Sequence, residues 1–183
     1  MTIINKPILL TINGIEVGPI DVPEGIVMLD FLHEYLDLTG SRMGCGQGIC
    51  HACVIIVDHP NGVSEEMRTC ITGAHFFNGK QVRTIEGIAT RDSSGEVTPS
   101  AIQQAFMNNF SFQCGYCTPG FVNATTVFME KLAKEPILRE DLETSIEAAL
   151  NNHICRCTGY VRYYDAVRDL ILNTPGLIKN SSP

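Results

Sequence analysis

Apolar residues along this chain keep two different periods, and the change between them falls near residue 100. In the first half the apolar runs are short and rich in β-branched residues. Residues 8–12 and 15–17 are joined by Asn13-Gly14, the two-residue signal of a type I′ hairpin turn. Asp21-Val-Pro-Glu-Gly then turns the chain toward a helix predicted over 28–37, where Leu29, Leu32 and Leu36 form one stripe. Residues 53–57 have the length and β-branching of a buried strand, and Asp58-His-Pro-Asn-Gly-Val is turn chemistry. Short β-rich stretches near Cys70 and over 82–85 complete a small sheet crossed by one helix.

Residues 86–100 are poor in large apolar groups and contain Gly87, Gly95 and Pro99, so they read as a linker. Beyond it the period becomes helical. Thr98-Pro99 offers an N-cap and an N1 proline for a helix reaching about residue 110. Thr118-Pro119 repeats the signature for a helix toward Lys134, with Phe121, Phe128 and Leu132 as core contacts. A third helix is predicted over about 140–151. A fourth follows Thr158 as its cap, with Val161, Tyr164, Val167, Leu170 and Ile171 at helical spacing. The two halves repeat neither sequence nor architecture, so there is no internal duplication.

Eight cysteines punctuate this pattern and fall into two sets of four. The first reads Cys45-Gly-Gln-Gly-Ile-Cys50-His-Ala-Cys53, with Cys70 further on. This C-x4-C-x2-C…C run is the plant-type ferredoxin spacing for a [2Fe–2S] cluster. The second is Cys114-Gly-Tyr-Cys117 with Cys155-Arg-Cys157, each pair standing just before a predicted helix start, where helix dipoles favour thiolates. Four thiolates per set is the number such a cluster requires, so two clusters account for every cysteine. Gly44, Gly46 and Gly48 allow a loop whose backbone N–H groups point at an anionic cluster. A sheet crossed by one helix with a metal loop at its edge is the β-grasp plan.

Rival uses of the cysteines are disulfides and zinc. Disulfides compensate for a small core in an oxidising compartment, and a chain of 183 residues with 44% hydrophobic composition can bury an ordinary core. Zinc does not explain the x4-x2 run, but for the second set taken by itself it stays open beside iron–sulfur. A net charge of −7 and the lack of any Lys/Arg-rich run argue against nucleic acid. No apolar stretch approaches the roughly 20 residues of a direct membrane span. The N-terminal residues lack the pattern of a signal peptide, which predicts a cytoplasmic protein. The alternative is a periplasmic or membrane-associated position gained through a partner subunit.

Cys-Gly-Gln-Gly-Ile-Cys with Cys53, then Gln113-Cys-Gly-Tyr-Cys-Thr-Pro-Gly120, then Cys155-Arg-Cys-Thr-Gly-Tyr160, in this order, resembles the small iron–sulfur subunit of the molybdenum hydroxylases, the xanthine oxidase and aldehyde oxidoreductase family. The resemblance covers nearly the whole chain. It implies an α+β protein, with an N-terminal β-grasp plant-type [2Fe–2S] ferredoxin domain (1–85), a linker (86–100) and an all-α four-helix [2Fe–2S]-binding domain (101–183). Cys45, Cys50, Cys53 and Cys70 would hold one cluster; Cys114, Cys117, Cys155 and Cys157 the other. It also implies that Gln113 and Cys157 touch the pterin of a molybdenum cofactor held by a large partner subunit. No molybdenum site, FAD site or general base is visible, so catalysis would lie on that partner.

The expected role is an electron-transfer subunit of an aldehyde-oxidising molybdenum hydroxylase, passing single electrons to an FAD-binding subunit or a cytochrome c. The alternatives are the same relay in a xanthine or N-heterocycle hydroxylase, an independent soluble ferredoxin, or a zinc-stabilised adaptor. Two departures from the family pattern stand out: His51-Ala52 between Cys50 and Cys53, and a hairpin over 58–67 that reads as enlarged. The acceptor is expected to approach near residues 45–53 and this hairpin. His51 itself is read as an exposed residue without a special role.

Overall fold

The computed structural model describes residues 4–179. The Asn13-Gly14 turn forms as predicted, with φ of 52° and 81° at its two residues, the positive pair that a type I′ turn demands. It joins strands β1 (Asn5–Ile12) and β2 (Ile15–Pro23), both longer than the apolar runs that mark them. The predicted helix is shorter and irregular. One α-turn, α1 (Met28–Asp30), continues as a π-helical turn over Phe31–Tyr35. Its predicted stripe still serves the core, Leu32 with the main sheet core and Leu29 against Cys53 and Cys70.

Strand β3 (Val54–Asp58) is buried at its first four positions, as an unbroken Val-Ile-Ile-Val run requires. It pairs antiparallel with β4 (Ser64–Arg68) on one side and β5 (Gln81–Arg83) on the other. Because β5 also runs parallel to β1, the order is β2-β1-β5-β3-β4, a mixed five-stranded sheet. The β-rich stretch predicted near Cys70 ends earlier, at Arg68, and Cys70 itself lies in the following turn.

The segment read as a linker is partly structured. A turn over Ile85–Gly87 presents Ile85 to the helical core, Ile88 joins it, and β6 (Thr90–Arg91) pairs with β7 (Val97–Thr98) in a short ribbon. That ribbon takes Thr98 out of contention as a cap. Ser100 caps α2 (Ala101–Asn108) instead, in a capping box with Gln103. Helix α3 (Thr118–Lys134) begins with Thr118-Pro119 inside its first turn, and Cys117 is its N-cap residue. Helix α4 (Leu142–Leu150) follows a turn over Arg139–Asp141.

Helix α5 (Val161–Asn173) starts later than predicted, so Thr158 is not its cap; Tyr160, in the left-handed region, holds that place. Its buried stripe is Tyr163, Ala166, Val167 and Ile171, whereas Val161 is 64% exposed. A last short strand, β8 (Ile137–Leu138), pairs with β9 (Ile178–Lys179). Among the described residues no helix is long and apolar enough to cross a membrane.

The molecule is thus mixed α and β, with one core under the sheet and a second among α2–α5. The halves are tied by polar contacts along α3. Asn123 donates to the Val54 carbonyl (2.8 Å), and Arg83 on β5 is held by Asp58 and by Glu130 of α3. A Cβ on Gly120 would stand 2.4 Å from the His51 carbonyl oxygen, so only glycine permits this approach of α3 to the sheet half. The β3–β4 hairpin keeps residues 60–63 of its tip exposed. It packs on α3, and Lys134 donates to the Gly62 carbonyl at its tip.

Candidate functional site

Each cysteine set is assembled by loops at the seam between the halves. In the first loop Gly46 (φ 65°), Gly48 (φ 70°) and His51 (φ 57°) turn the backbone through the left-handed region. This curls the chain around Cys45, whose Sγ accepts the N–H groups of Gln47 and Ile49 (3.3 Å each) and Cys50 (3.4 Å). Burial opposes ionisation of Cys45, but these three donors overcome it and hold the thiol down at about 6. The same loop serves its neighbours less well. Burial raises the Cys50 thiol, and burial together with Cys53 pushes Cys70 up to about 11. Cys45 accepts from the Cys50 N–H, Cys53 and Cys70 pack together beside Leu29, and Cys70 senses the charge of both Cys53 and Cys45, so the structure brings these four residues together.

The second set meets the same way. Cys157 Sγ lies 3.6 Å from Cys114 Sγ, and Cys117 stands beside Cys155. Thr158 donates its hydroxyl to Cys155 Sγ (3.1 Å) and accepts from the Tyr160 N–H (3.2 Å), which fixes the turn before α5. Burial opposes ionisation of Cys155, but the Thr158 hydroxyl and backbone N–H favour it, and the thiol is lowered. Cys117, shielded by burial and next to Cys155, is pushed up to about 12. Exposure is graded across the set: Cys155 is buried, Cys117 half-buried, Cys114 and Cys157 exposed together with Gln113. The Cys114–Cys157 end of this set opens outward and its other end packs into the helical core.

Several supporting residues went unread in the sequence. Tyr163 stacks on Phe121 (ring centroids 4.0 Å apart), shares a hydrogen bond with Thr118 Oγ1 (2.8 Å) and lies 3.8 Å from Cys117 Sγ. A helical stripe started at Tyr163 rather than Val161 would have found it. His51, expected on the surface, is folded into the seam against His153, with ring centroids 5.0 Å apart. The two loops also touch directly: the Ile154 N–H donates to the Cys50 carbonyl (3.1 Å), and Tyr116 donates to the Met43 carbonyl (2.9 Å).

Thiols gathered by glycine-kinked loops, with N–H groups already aimed at sulfur, suit an anionic iron–sulfur group. A fold that sets such loops at the junction of a sheet and a helical half defines an iron–sulfur electron-transfer protein. Comparison with known proteins agrees. The family described as "[2Fe-2S] binding domain" matches residues 84–168, and "Iron-sulfur cluster binding domain of dihydroorotate dehydrogenase B" matches 40–83. The nicotine 6-hydroxylase small subunit of Paenarthrobacter nicotinovorans is 35% identical over 85% of this chain and 81% of its own. Aldehyde oxidoreductase of Megalodesulfovibrio gigas is 34% identical over 87% of this chain but 16% of its own, a much longer polypeptide. Among solved structures, quinoline 2-oxidoreductase from Pseudomonas putida 86 superposes with a TM-score of 0.75 at 29% identity, covering 94% of this chain and 93% of that one. The chain belongs to the small iron–sulfur subunits of the xanthine oxidase and aldehyde oxidoreductase family, the molybdenum hydroxylases.

Proposed function

We propose that Cys45, Cys50, Cys53 and Cys70 hold one [2Fe–2S] cluster and that Cys114, Cys117, Cys155 and Cys157 hold a second. The carrying observation is that the eight cysteines gather, none left over, into two groups on either side of one seam. In this reading the sheet half (1–85) is a β-grasp ferredoxin-type domain and the four-helix half (101–183) is the second cluster domain. The meeting of the two family matches at residues 83 and 84 supports a boundary there.

Bound clusters supply one-electron redox chemistry; the chain supplies donors, burial and position. Gln113 and Cys157, exposed at the outer end of the helical set, are the residues that would meet the pterin of a molybdenum cofactor on a large partner subunit. Single electrons from the oxidised substrate enter there and cross the seam to the Cys45 loop. The acceptor, an FAD-binding subunit or a cytochrome c, docks on that loop, where Met43, Ile49 and Ile71 are exposed. The substrate is an aldehyde, with a purine or other N-heterocycle as the alternative; in either case its site belongs to the large partner subunit.

Metal and sulfide content tests the reading directly. About four irons and four acid-labile sulfides per chain, with two distinct paramagnetic signals on reduction, are expected. Cys50→Ser should remove or alter only one signal. A folded protein containing zinc alone, or a Cys50→Ser protein lacking both signals, would sink the proposal.

A further inference from the structure

A group of metal-ligand side chains outside both cysteine sets lies across the seam. Glu66 of β4 places Oε2 3.0 Å from His153 Nε2 and 3.8 Å from His51 Nδ1. These three donor atoms all fall within 4.8 Å of one another. Two belong to the sheet half and one to the loop before Cys155.

We propose that His51, Glu66 and His153 form a zinc-binding site that clips the sheet half to the helical half. Two imidazoles and one carboxylate are a donor set that zinc uses, whereas calcium and magnesium take oxygen ligands. Tetrahedral ligation at about 2.0–2.2 Å spaces donors roughly 3.3–3.6 Å apart. The 3.0 and 3.8 Å separations straddle that range and the third lies within 4.8 Å, so side-chain adjustment alone can close the site. A second, independent observation points to a missing partner. His51 Nδ1, one of the three proposed ligand atoms, is a buried ring nitrogen with no hydrogen-bond partner among the described residues, and the His153 side chain is only 2% exposed. Such groups are costly to leave unpaired.

The fourth position opens to water. A cleft of about 350 Å³ adjoins His51 and Glu66 and is lined by Arg68, Ala148, Ala149 and Asn152. Among the described residues Arg68 is the one cation on its wall, and its guanidinium donates to the Gly48 carbonyl (3.3 Å) at the Cys45 loop.

The test uses the cluster-loaded protein, freed of adventitious metal and titrated with Zn²⁺ against a chromophoric zinc indicator. One equivalent should bind without release of iron. X-ray absorption at the zinc edge should show nitrogen and oxygen neighbours at about 2.0–2.2 Å and no sulfur shell near 2.3 Å. Glu66→Gln keeps an acceptor for His153, and His51→Asn suits the left-handed backbone at that position. Each should lower zinc affinity at least tenfold while leaving the visible cluster absorbance unchanged. Zinc should raise the Tm of the parent and not that of either variant. Failure to bind zinc, a zinc–sulfur shell with loss of iron, or uptake unaffected by both variants would each overturn the assignment.

Discussion

The Cys45 loop shows how much one residue's surroundings decide. Cys45 and Cys70 are identical thiols of one set, yet three backbone donors hold the first down at about 6 while burial lifts the second to about 11. In the cluster-free, reduced protein Cys45 is therefore thiolate at pH 7 and Cys70 is not. Because the Cys45 value is depressed, its thiolate persists down through neutral pH and is lost as pH falls through about 6. Iodoacetamide labelling read by mass spectrometry should modify Cys45 first at pH 7 and slow below pH 6; equal labelling of the two cysteines would contradict this. Gly44 carries a different constraint. A Cβ there would stand 2.6 Å from Cys50 Sγ, a contact that something must relieve. Gly44→Ala should displace Cys50 and weaken or abolish the sheet-side paramagnetic signal, with the helical-side signal intact. Retention of both signals at parental intensity would show that the loop yields at no cost to its ligands.

Among the elements, α3 does most to hold the halves together, because it carries both Asn123 and Glu130 against the sheet. Arg83 makes a two-point contact with Asp58 (2.8 and 2.7 Å) and another with Glu130 (2.7 and 3.0 Å). The three side chains are between 25% and 37% exposed, so water screens part of their attraction. Arg83→Met should cost about 1–3 kcal/mol, measured by denaturant unfolding of the cluster-loaded protein. The pH dependence has a definite sign. Burial works against the Asp58 carboxylate, but Arg83 and Ser64 outweigh it and hold its pKa below the usual value. The stabilisation is therefore full above about pH 5 and is lost as pH falls through the depressed Asp58 value. The gap between parent and Arg83→Met should narrow in that acid range; a constant gap down to pH 3 would rule Asp58 out as its source.

For the whole molecule, the exposed apolar side chains on the segment bearing Cys114 need a partner. Phe110 is 73% exposed, Tyr116 47% and Phe112 38%, with Val161 at 64% at the start of α5. Aromatic residues of this kind are enriched at the buried centres of interfaces. Phe110→Ser should leave the Tm and both paramagnetic signals of the isolated subunit nearly unchanged, since little is buried there. Assembly with the large subunit should weaken at least tenfold, as read by co-purification or titration. Undiminished assembly would place that interface elsewhere.

The two cysteine groups were legible in the sequence because cysteine spacing and glycine content are local properties, and a loop must carry them whatever it packs against. The change of hydrophobic period was legible for the same reason. It marked the sheet-to-helix transition, the Asn13-Gly14 turn and the buried strand before Asp58. Helix starts were less so. Ser100 rather than Thr98 caps α2, and Tyr160 displaces Thr158 at α5, because the β6–β7 ribbon and the Thr158–Cys155 hydrogen bond claim the expected residues. The seam was not legible at all. Tyr116 reaches Met43 across 73 residues, Arg83 reaches Glu130 across 47, and Glu66 reaches His153 across 87. No periodicity links such positions. The sequence by itself determined which cysteines group together and which segments are sheet or helix. Only tertiary packing decided that His51 is half-buried in the seam rather than exposed and which loops face one another, because those outcomes depend on groups brought together by the fold.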